Sequence, residues 1–249
     1  MQKCYPREYD TISVKQLGDH TVRVVYTAVS RTSGFEDDTP NVKKGTAHDK
    51  KLENNIVRAK TAIKELVLSN PWRYWCTFTI SPQKYDRHNL ARYKSDLAKF
   101  IRNYNRYCDE SDRVQYVFVP EMHKDGAWHM HGFLNGVRDR DIYTNEYGYL
   151  SWRQYEEKFG FISMSPIKDI DRAASYMLKY ISKDIGKGVT DLGAHLYYAS
   201  QGLKRAELLC RGHAQLHCEW DYEHPEGYCK VKTFDTRIDD ISEFIEVLP

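Results

Sequence analysis

The chain of 249 residues is long enough for one large domain or two small ones, and its 41% hydrophobic and 29% charged residues are typical of a soluble globular protein. Lys and Arg exceed Asp and Glu by only 2, so the net charge neither favours nor excludes a nucleic-acid partner. The first ten residues lack the apolar run of a signal peptide, and no segment approaches the roughly 18 apolar residues of a membrane span. We therefore expect a cytoplasmic protein without a membrane partner.

The first half of the chain alternates strand and helix signals. A possible strand over 21–29 precedes a polar loop, and apolar residues at helical spacing then predict a helix over 47–69. The segment YWCTFTIS at 74–81 is aromatic and β-branched, which predicts a central strand. Apolar residues repeat at steps of three and four over 88–107, so a second amphipathic helix is expected there.

The next part of the chain predicts a hairpin, a short helix and another strand. Two apolar runs, 114–123 and 127–136, are joined by the turn sequence KDG. A helix over 151–158, capped by Ser151, is followed by a strand over 160–167. Because no internal repeat or interdomain linker is visible, the pattern predicts one α+β domain with a central, mainly antiparallel sheet flanked by helices.

The string HMH on the second hairpin strand places His129 and His131 on one face, because side chains alternate along a strand. Glu121 on the first strand faces them if the numbers of opposed residues sum to an even value, as in a pairing of 121 with 131. An odd-length loop or a bulge at Gly126 provides that register. A carboxylate and two imidazoles form a site for a divalent metal with open positions, whereas the alternative is a hydrogen-bonded Glu–His pair.

The segment DIDRAASYMLKYISKDIGKG has the period of an amphipathic helix over about 170–187. Its apolar residues lie on one side, and Tyr176, Tyr180, Lys183 and Lys187 share the opposite face. Tyrosines on such a face usually belong to the amphipathic surface. A deprotonated phenol is also an oxygen nucleophile that attacks phosphorus, and neighbouring ammonium groups stabilise the phenolate and the phosphate charge.

Three segments in this order resemble the motifs of the HUH endonucleases, in particular the rolling-circle replication initiators of phages and plasmids. The segments are FTIS at 78–81, PEMHKDGAWHMHGF at 120–133 and AASYMLKYISK at 173–183. YYASQGLKR at 197–205 is also similar to a segment of the phage proteins. The tyrosines follow the histidines, as in replication initiators and related transposases. The first motif departs from the commoner Phe-Thr-Leu-Thr, although its hydrophobic pattern is kept.

The resemblance implies an RRM-like, ferredoxin-like fold and a specific set of site residues. A divalent metal, Mg²⁺ or Mn²⁺, is expected on Glu121, His129 and His131. The implied catalytic residues are Tyr176, Tyr180 and Lys183, and the residues expected to contact DNA are Lys187, Lys204 and Arg205. Which tyrosine attacks first stays open, although the spacing to the lysine favours Tyr180.

The activity implied by the resemblance is nicking and rejoining of single-stranded origin DNA through a 5′-phosphotyrosine link. The chain contains no GxxxxGK[ST] motif, so a helicase and a DNA polymerase of the bacterial host are expected partners. Residues 70–205 are expected to form the endonuclease core. Residues 1–69 would supply an N-terminal extension with a leading helix, and 206–249 a β-rich extension of the same domain.

Two other functions fit the same sequence. The first is a single-strand DNA transposase with the same chemistry. The second is a non-catalytic nucleic-acid-binding module in which aromatic residues of the sheet stack on bases. The aromatic residues considered for that stacking are Tyr74, Trp75, Phe78 and Tyr116.

Overall fold

A computed structural model describes residues 6–7, 12–27, 31–32, 49–181, 195–212, 214–227 and 229–247. The α-helices are α1 (Asp49–Leu68), α2 (Leu90–Tyr104), α3 (Arg153–Lys158) and α4 (Ile170–Met177). Single 3₁₀ turns span Asn105–Tyr107, Glu110–Asp112, Asp139–Asp141, Leu178–Tyr180 and Ile241–Glu243. The strands are β1 (Pro6–Arg7), β2 (Ile12–Leu17), β3 (Thr21–Thr27), β4 (Arg31–Thr32), β5 (Tyr74–Thr79), β6 (Gln115–Met122), β7 (Trp128–Asn135), β8 (Ile142–Thr144), β9 (Leu150–Trp152), β10 (Ile162–Pro166), β11 (Tyr198–Ala199), β12 (Glu207–Gly212), β13 (Ala214–Leu216), β14 (Tyr222–Glu223), β15 (Cys229–Asp235) and β16 (Ile245–Val247).

The chain divides into two compact units, one formed by 47–203 and the other by 1–46 together with 204–249. Both units contain antiparallel sheets, and the helices α1 to α4 lie in the first. The predicted α+β class with antiparallel sheets flanked by helices is confirmed. The boundaries expected at 70 and 206 stay predictions.

A seven-stranded antiparallel sheet organises the unit 47–203, in the order β11-β6-β7-β5-β10-β9-β8. Its centre follows the chain order β5-α2-β6-β7-α3-β10, with β7 between β6 and β5 and with β10 on the far side of β5. This is the ferredoxin-like βαββαβ arrangement. The strand predicted over 74–81 is therefore the fourth of the seven strands.

One face of this sheet is an apolar core covered by α2 and α3. Alternate residues of β5, namely Tyr74, Cys76 and Phe78, are buried there together with Tyr93 of α2 and Tyr155 of α3. The hydroxyl groups of those two tyrosines hydrogen-bond each other at 2.6 Å, which satisfies both polar atoms inside the core.

The opposite face is apolar only where α1 and α4 cover it. Ile63 of α1, Val117 and Val119 of β6, Phe133 of β7 and Met177 of α4 are fully buried in this second core. Toward the hairpin end of β6 and β7 the same face carries polar side chains. The apolar pattern of α4 thus brings the helix to the edge of a polar patch.

The second unit is built on a five-stranded antiparallel sheet in the order β12-β2-β3-β15-β14. Val14, Val22, Val24 and Phe234 are buried in its core. The strand predicted over 21–29 is observed as β3, and its residues beyond Thr27 lie outside the described part of the chain.

Most predicted elements are confirmed, and two details are wrong. Ser151 does not cap a helix, because it lies in β9 and α3 begins after Trp152. The helix expected over 170–187 ends as an α-helix at Met177 and continues as a 3₁₀ turn to Tyr180. Residues 182–194 lie outside the described residues. No helix in the described ranges is long and apolar enough to cross a membrane.

Candidate active site

The β6–β7 hairpin sets the register of the site. Its loop runs from His123 to Ala127, an odd number of residues, and Gly126 adopts a φ of 79° that favours glycine. Opposed residues therefore sum to an even value, as predicted, and Glu121 shares a face with both histidines. The expected pairing of Glu121 with His131 is wrong, because Glu121 opposes His129.

Glu121 nevertheless contacts His131, diagonally across the two strands. The Glu121 Oε2 atom lies 2.6 Å from His131 Nε2, within hydrogen-bond distance, and 3.8 Å from His123 Nε2. The His129 ring stacks on the His123 ring with 3.7 Å between centroids. The hairpin thus gathers one carboxylate and three imidazoles at its open end.

Two threonines of β5 hold the other nitrogen of each imidazole. Thr77 opposes His131 and Thr79 opposes His129 in the β5–β7 ladder. Thr77 Oγ1 lies 3.2 Å from His131 Nδ1, and Thr79 Oγ1 lies 3.3 Å from His129 Nδ1. Both Nδ1 atoms therefore have a partner on β5, which leaves the Nε2 atom of each ring for a ligand.

Burial keeps both histidines neutral near pH 7. Loss of hydration lowers the pKa of His129 to about 4, and the neighbouring His123 and His131 add to this effect. Burial also lowers the pKa of His131, against the opposing attraction of the Glu121 carboxylate. Neutral imidazoles have a free lone pair and can bind a metal.

The chemistry of these side chains fits a divalent metal, although they are not gathered around one point. Two neutral imidazoles and one carboxylate, with both Nδ1 atoms held, are a donor set that catalytic metal sites use. Among the described residues, however, no group of three His, Cys, Asp or Glu side chains is arranged to hold a metal ion. Glu121 instead contacts His131 directly.

The end of α4 brings two tyrosines to the same patch. The Tyr180 ring stacks on the His131 ring, with 4.1 Å between centroids and 13° between planes. The Tyr180 hydroxyl donates to the Tyr176 hydroxyl oxygen at 2.9 Å. Burial, that hydrogen bond and the Glu121 charge raise the pKa of Tyr180 well above its usual value. The Tyr176 side chain is the more accessible, with 45% of the residue exposed.

Trp75 of β5 lies beside both tyrosines. Its ring centroid is 5.5 Å from that of Tyr176 and 6.2 Å from that of Tyr180. It is also roughly parallel to the His131 ring at 6.4 Å. The tyrosines therefore rest on the sheet through an aromatic contact rather than extending freely into solvent.

The predicted cations are only partly described. Lys183 and Lys187 lie outside the described residues. Lys204 and Arg205 are exposed and lie at the start of the segment 204–249, in the other unit. The described cation that contacts a candidate nucleophile is Lys179, whose Nζ atom lies 5.2 Å from the centre of the Tyr176 ring.

Residues 73–185 match a family model of replication-associated proteins, the ORF2 family. This segment belongs to that family. The match spans both histidines, Glu121 and both tyrosines, and it confirms the resemblance to replication initiators. No curated protein and no solved structure matches the chain significantly.

Several residues of this replication-associated segment escaped the sequence analysis. Thr77 and Thr79 alternate along a predicted strand, which places them on one face, but the sequence alone does not say which strand lies beside the histidines. His123 shares the face of Glu121 and was noted only for that. Lys179 was not singled out, although a spacing of three residues from Tyr176 puts it on the same helix face.

Proposed function

We propose that this replication-associated protein is a rolling-circle initiator, which cuts single-stranded origin DNA with a tyrosine and later rejoins it. The observation that carries the proposal is the stacking of Tyr180 on His131, with the Tyr176 hydroxyl 2.9 Å from that of Tyr180. Two oxygen nucleophiles thus lie beside the histidine–carboxylate cluster.

Glu121, His129 and His131 are the residues that would hold a divalent metal, Mg²⁺ or Mn²⁺. When bound, such an ion supplies Lewis-acid polarisation of the scissile phosphate. Thr77 and Thr79 keep the imidazole rings on the face toward the tyrosines.

In the proposed reaction a tyrosine oxygen attacks the phosphorus in line with the leaving 3′ oxygen. The tyrosine O–P bond forms, the P–O3′ bond breaks, the phenolic proton passes to solvent, and the 3′ oxygen leaves as a hydroxyl group. The 5′-phosphotyrosine keeps the energy of the broken bond. Attack by a new 3′-hydroxyl reverses the step and reseals the strand.

The tyrosine needs help from positive charge, since the surroundings raise the pKa of Tyr180. The ammonium group of Lys179 contacts the Tyr176 ring, and Lys183 is the further cation that we propose on sequence grounds. A lysine near the phenolate or the phosphate stabilises the negative charge that develops during the attack.

Of the alternatives, base stacking on the open sheet is disfavoured by burial. Tyr74 and Phe78 are buried against α2, so they present no ring to a base. Trp75 packs against both tyrosines. Origin DNA is the proposed substrate, and a host helicase and a DNA polymerase are the proposed partners.

Covalent capture of DNA tests the proposal. We expect the protein with Mn²⁺ to form an adduct with random-sequence single-stranded DNA, and the captured ends identify the cleavage sequence. Phenylalanine keeps each ring and removes only the nucleophile. Tyr176→Phe and Tyr180→Phe singly report whether the other tyrosine suffices, and the double variant should form no adduct.

The exposed Tyr147 supplies a matched control, because Tyr147→Phe removes a hydroxyl far from the histidines in sequence and should leave adduct formation unchanged. An adduct in the double variant, mapped by mass spectrometry to another residue, would overturn the proposed chemistry.

A further inference from the structure

The contacts between β5 and the two histidines have a chemical feature that the nicking mechanism does not use. Each imidazole faces a threonine hydroxyl at Nδ1, at 3.2 Å for Thr77 with His131 and at 3.3 Å for Thr79 with His129. The ladder makes both contacts direct cross-strand pairs. A hydroxyl differs from a carbonyl or carboxylate oxygen because it can both donate and accept a hydrogen bond.

The contact between Glu121 and His131 fixes one tautomer of His131. A carboxylate only accepts hydrogen bonds, so the nitrogen that lies 2.6 Å from Glu121 Oε2 must carry the hydrogen. In the neutral ring the proton is then on Nε2, and Nδ1 is an acceptor. Thr77 therefore donates its hydroxyl hydrogen to His131 Nδ1 in this arrangement.

A metal on Nε2 requires the opposite tautomer. The Nε2 lone pair must be free, so the ring hydrogen has to be on Nδ1, and Nδ1 then needs an acceptor. The Thr77 hydroxyl becomes that acceptor by rotating about its C–O bond. No side chain on β5 has to move, and the exchange of one ring proton for another through solvent leaves the net charge unchanged.

We propose that Thr77 is a positioning residue that holds His131 in both tautomers, so the ring can exchange Glu121 for a metal ion without leaving its place under Tyr180. Thr79 does the same for His129, whose second nitrogen meets no carboxylate in the hydrogen bonds described. This inference rests on the proposed function, because the metal belongs to it.

Three variants of Thr77 separate the hydroxyl from its shape. Thr77→Val keeps the volume and removes the hydroxyl, whereas Thr77→Ser keeps the hydroxyl and Thr77→Ala removes both. The matched control is Thr144→Val on β8, an exposed threonine in the same sheet. Circular dichroism of each variant reports whether the sheet is retained.

The first measurement needs no metal and no DNA. Long-range ¹H–¹⁵N correlation spectra identify the imidazole tautomer, with assignment through His131→Gln. In the metal-free wild-type protein and in Thr77→Ser we expect the Nε2–H tautomer of His131. Addition of Mg²⁺ should convert it to the Nδ1–H tautomer. In Thr77→Val we expect the Nε2–H form to persist, since Nδ1–H would have no acceptor.

The second measurement is Mn²⁺ affinity, followed by electron paramagnetic resonance of the free ion. Loss of a partner of a metal-bound histidine typically weakens binding about 10- to 100-fold, so we expect a loss in this range for Thr77→Val and Thr77→Ala. Thr77→Ser and Thr144→Val should bind Mn²⁺ like the wild type.

The results separate the two levels of the argument. Wild-type affinity of Thr77→Val for Mn²⁺, or an unchanged Nε2–H tautomer in metal-loaded wild type, overturns the role of Thr77 even if DNA is cleaved. Failure of the wild type to bind Mn²⁺ overturns the metal site of the proposed function and the tautomer exchange with it. The metal-free spectra test the contact between Thr77 and His131 in either case.

Discussion

His129 and His131 are two positions apart on one strand, yet their surroundings differ. His131 is 7% exposed and lies between the carboxylate of Glu121 and the ring of Tyr180, whereas His129 stacks on His123. The alternation of a strand was enough to predict that Glu121 and both histidines share a face. It could not predict which ring meets the carboxylate, because that depends on the register of a loop and on side-chain rotamers.

At this scale the histidines are expected to be separable from the fold. His129→Ala and His131→Ala should each reduce DNA cleavage to background and weaken Mn²⁺ binding, because each removes a metal ligand. Chelation of divalent ions with EDTA should have the same effect on the wild type. His20→Ala, at an exposed histidine between β2 and β3 in the other unit, is the control and should cleave normally. Normal cleavage by both site variants would refute the assignment.

At the scale of elements, hydrophobic periodicity located β5, β6 and β7 within about two residues, since each of these strands has an apolar face. It extended α4 too far. The apolar spacing continues past Met177, but the backbone tightens into a 3₁₀ turn over Leu178–Tyr180. Periods of 3.0 and 3.6 residues are hard to separate over one turn. The two tyrosines still meet, because residues four apart lie on one face in either geometry.

Gly132 shows how closely the hairpin strands approach under the histidines. A Cβ atom at this position would lie 1.9 Å from the Val117 carbonyl oxygen of β6. Gly132→Ala must therefore displace backbone, and we expect a loss of about 1–3 kcal/mol in the free energy of unfolding, as for other overpacked sites. Urea denaturation measures this loss.

The matched control for this substitution is Gly212→Ala. Gly212 also lies in a strand, β12, and a Cβ atom there would meet no atom within 4 Å. We expect its stability to change by less than about 0.5 kcal/mol. Equal stabilities of the two alanine variants would show that β6 and β7 do not pack as closely as described.

For the whole molecule, the sequence predicted the class of fold better than the grouping of its parts. The sheet of the second unit pairs β2 and β3 with β12 and β15, strands from opposite ends of the chain. Local periodicity carries no information about partners that are about 200 residues apart, so this sheet was not predicted. By contrast, β6 and β7 are neighbours along the chain, and a turn sequence announced their pairing.

Binding of DNA by the whole chain should depend strongly on salt. A cation that neutralises a phosphate of single-stranded DNA releases a condensed counterion, and the slope of log K against log salt is about −0.7 for each phosphate contact. The net charge of +2 means that any such contacts are local rather than a property of the entire surface. We expect the double variant Lys204→Gln/Arg205→Gln to bind more weakly and to reduce that slope by about 1.4. Fluorescence anisotropy of a labelled oligonucleotide between low and moderate salt measures both quantities. The double variant Arg140→Gln/Lys168→Gln removes the same charge from two other exposed positions and should keep the wild-type slope. If binding does not change with salt, phosphate contacts do not hold the DNA, and if both double variants lose the same slope, Lys204 and Arg205 act only through overall charge.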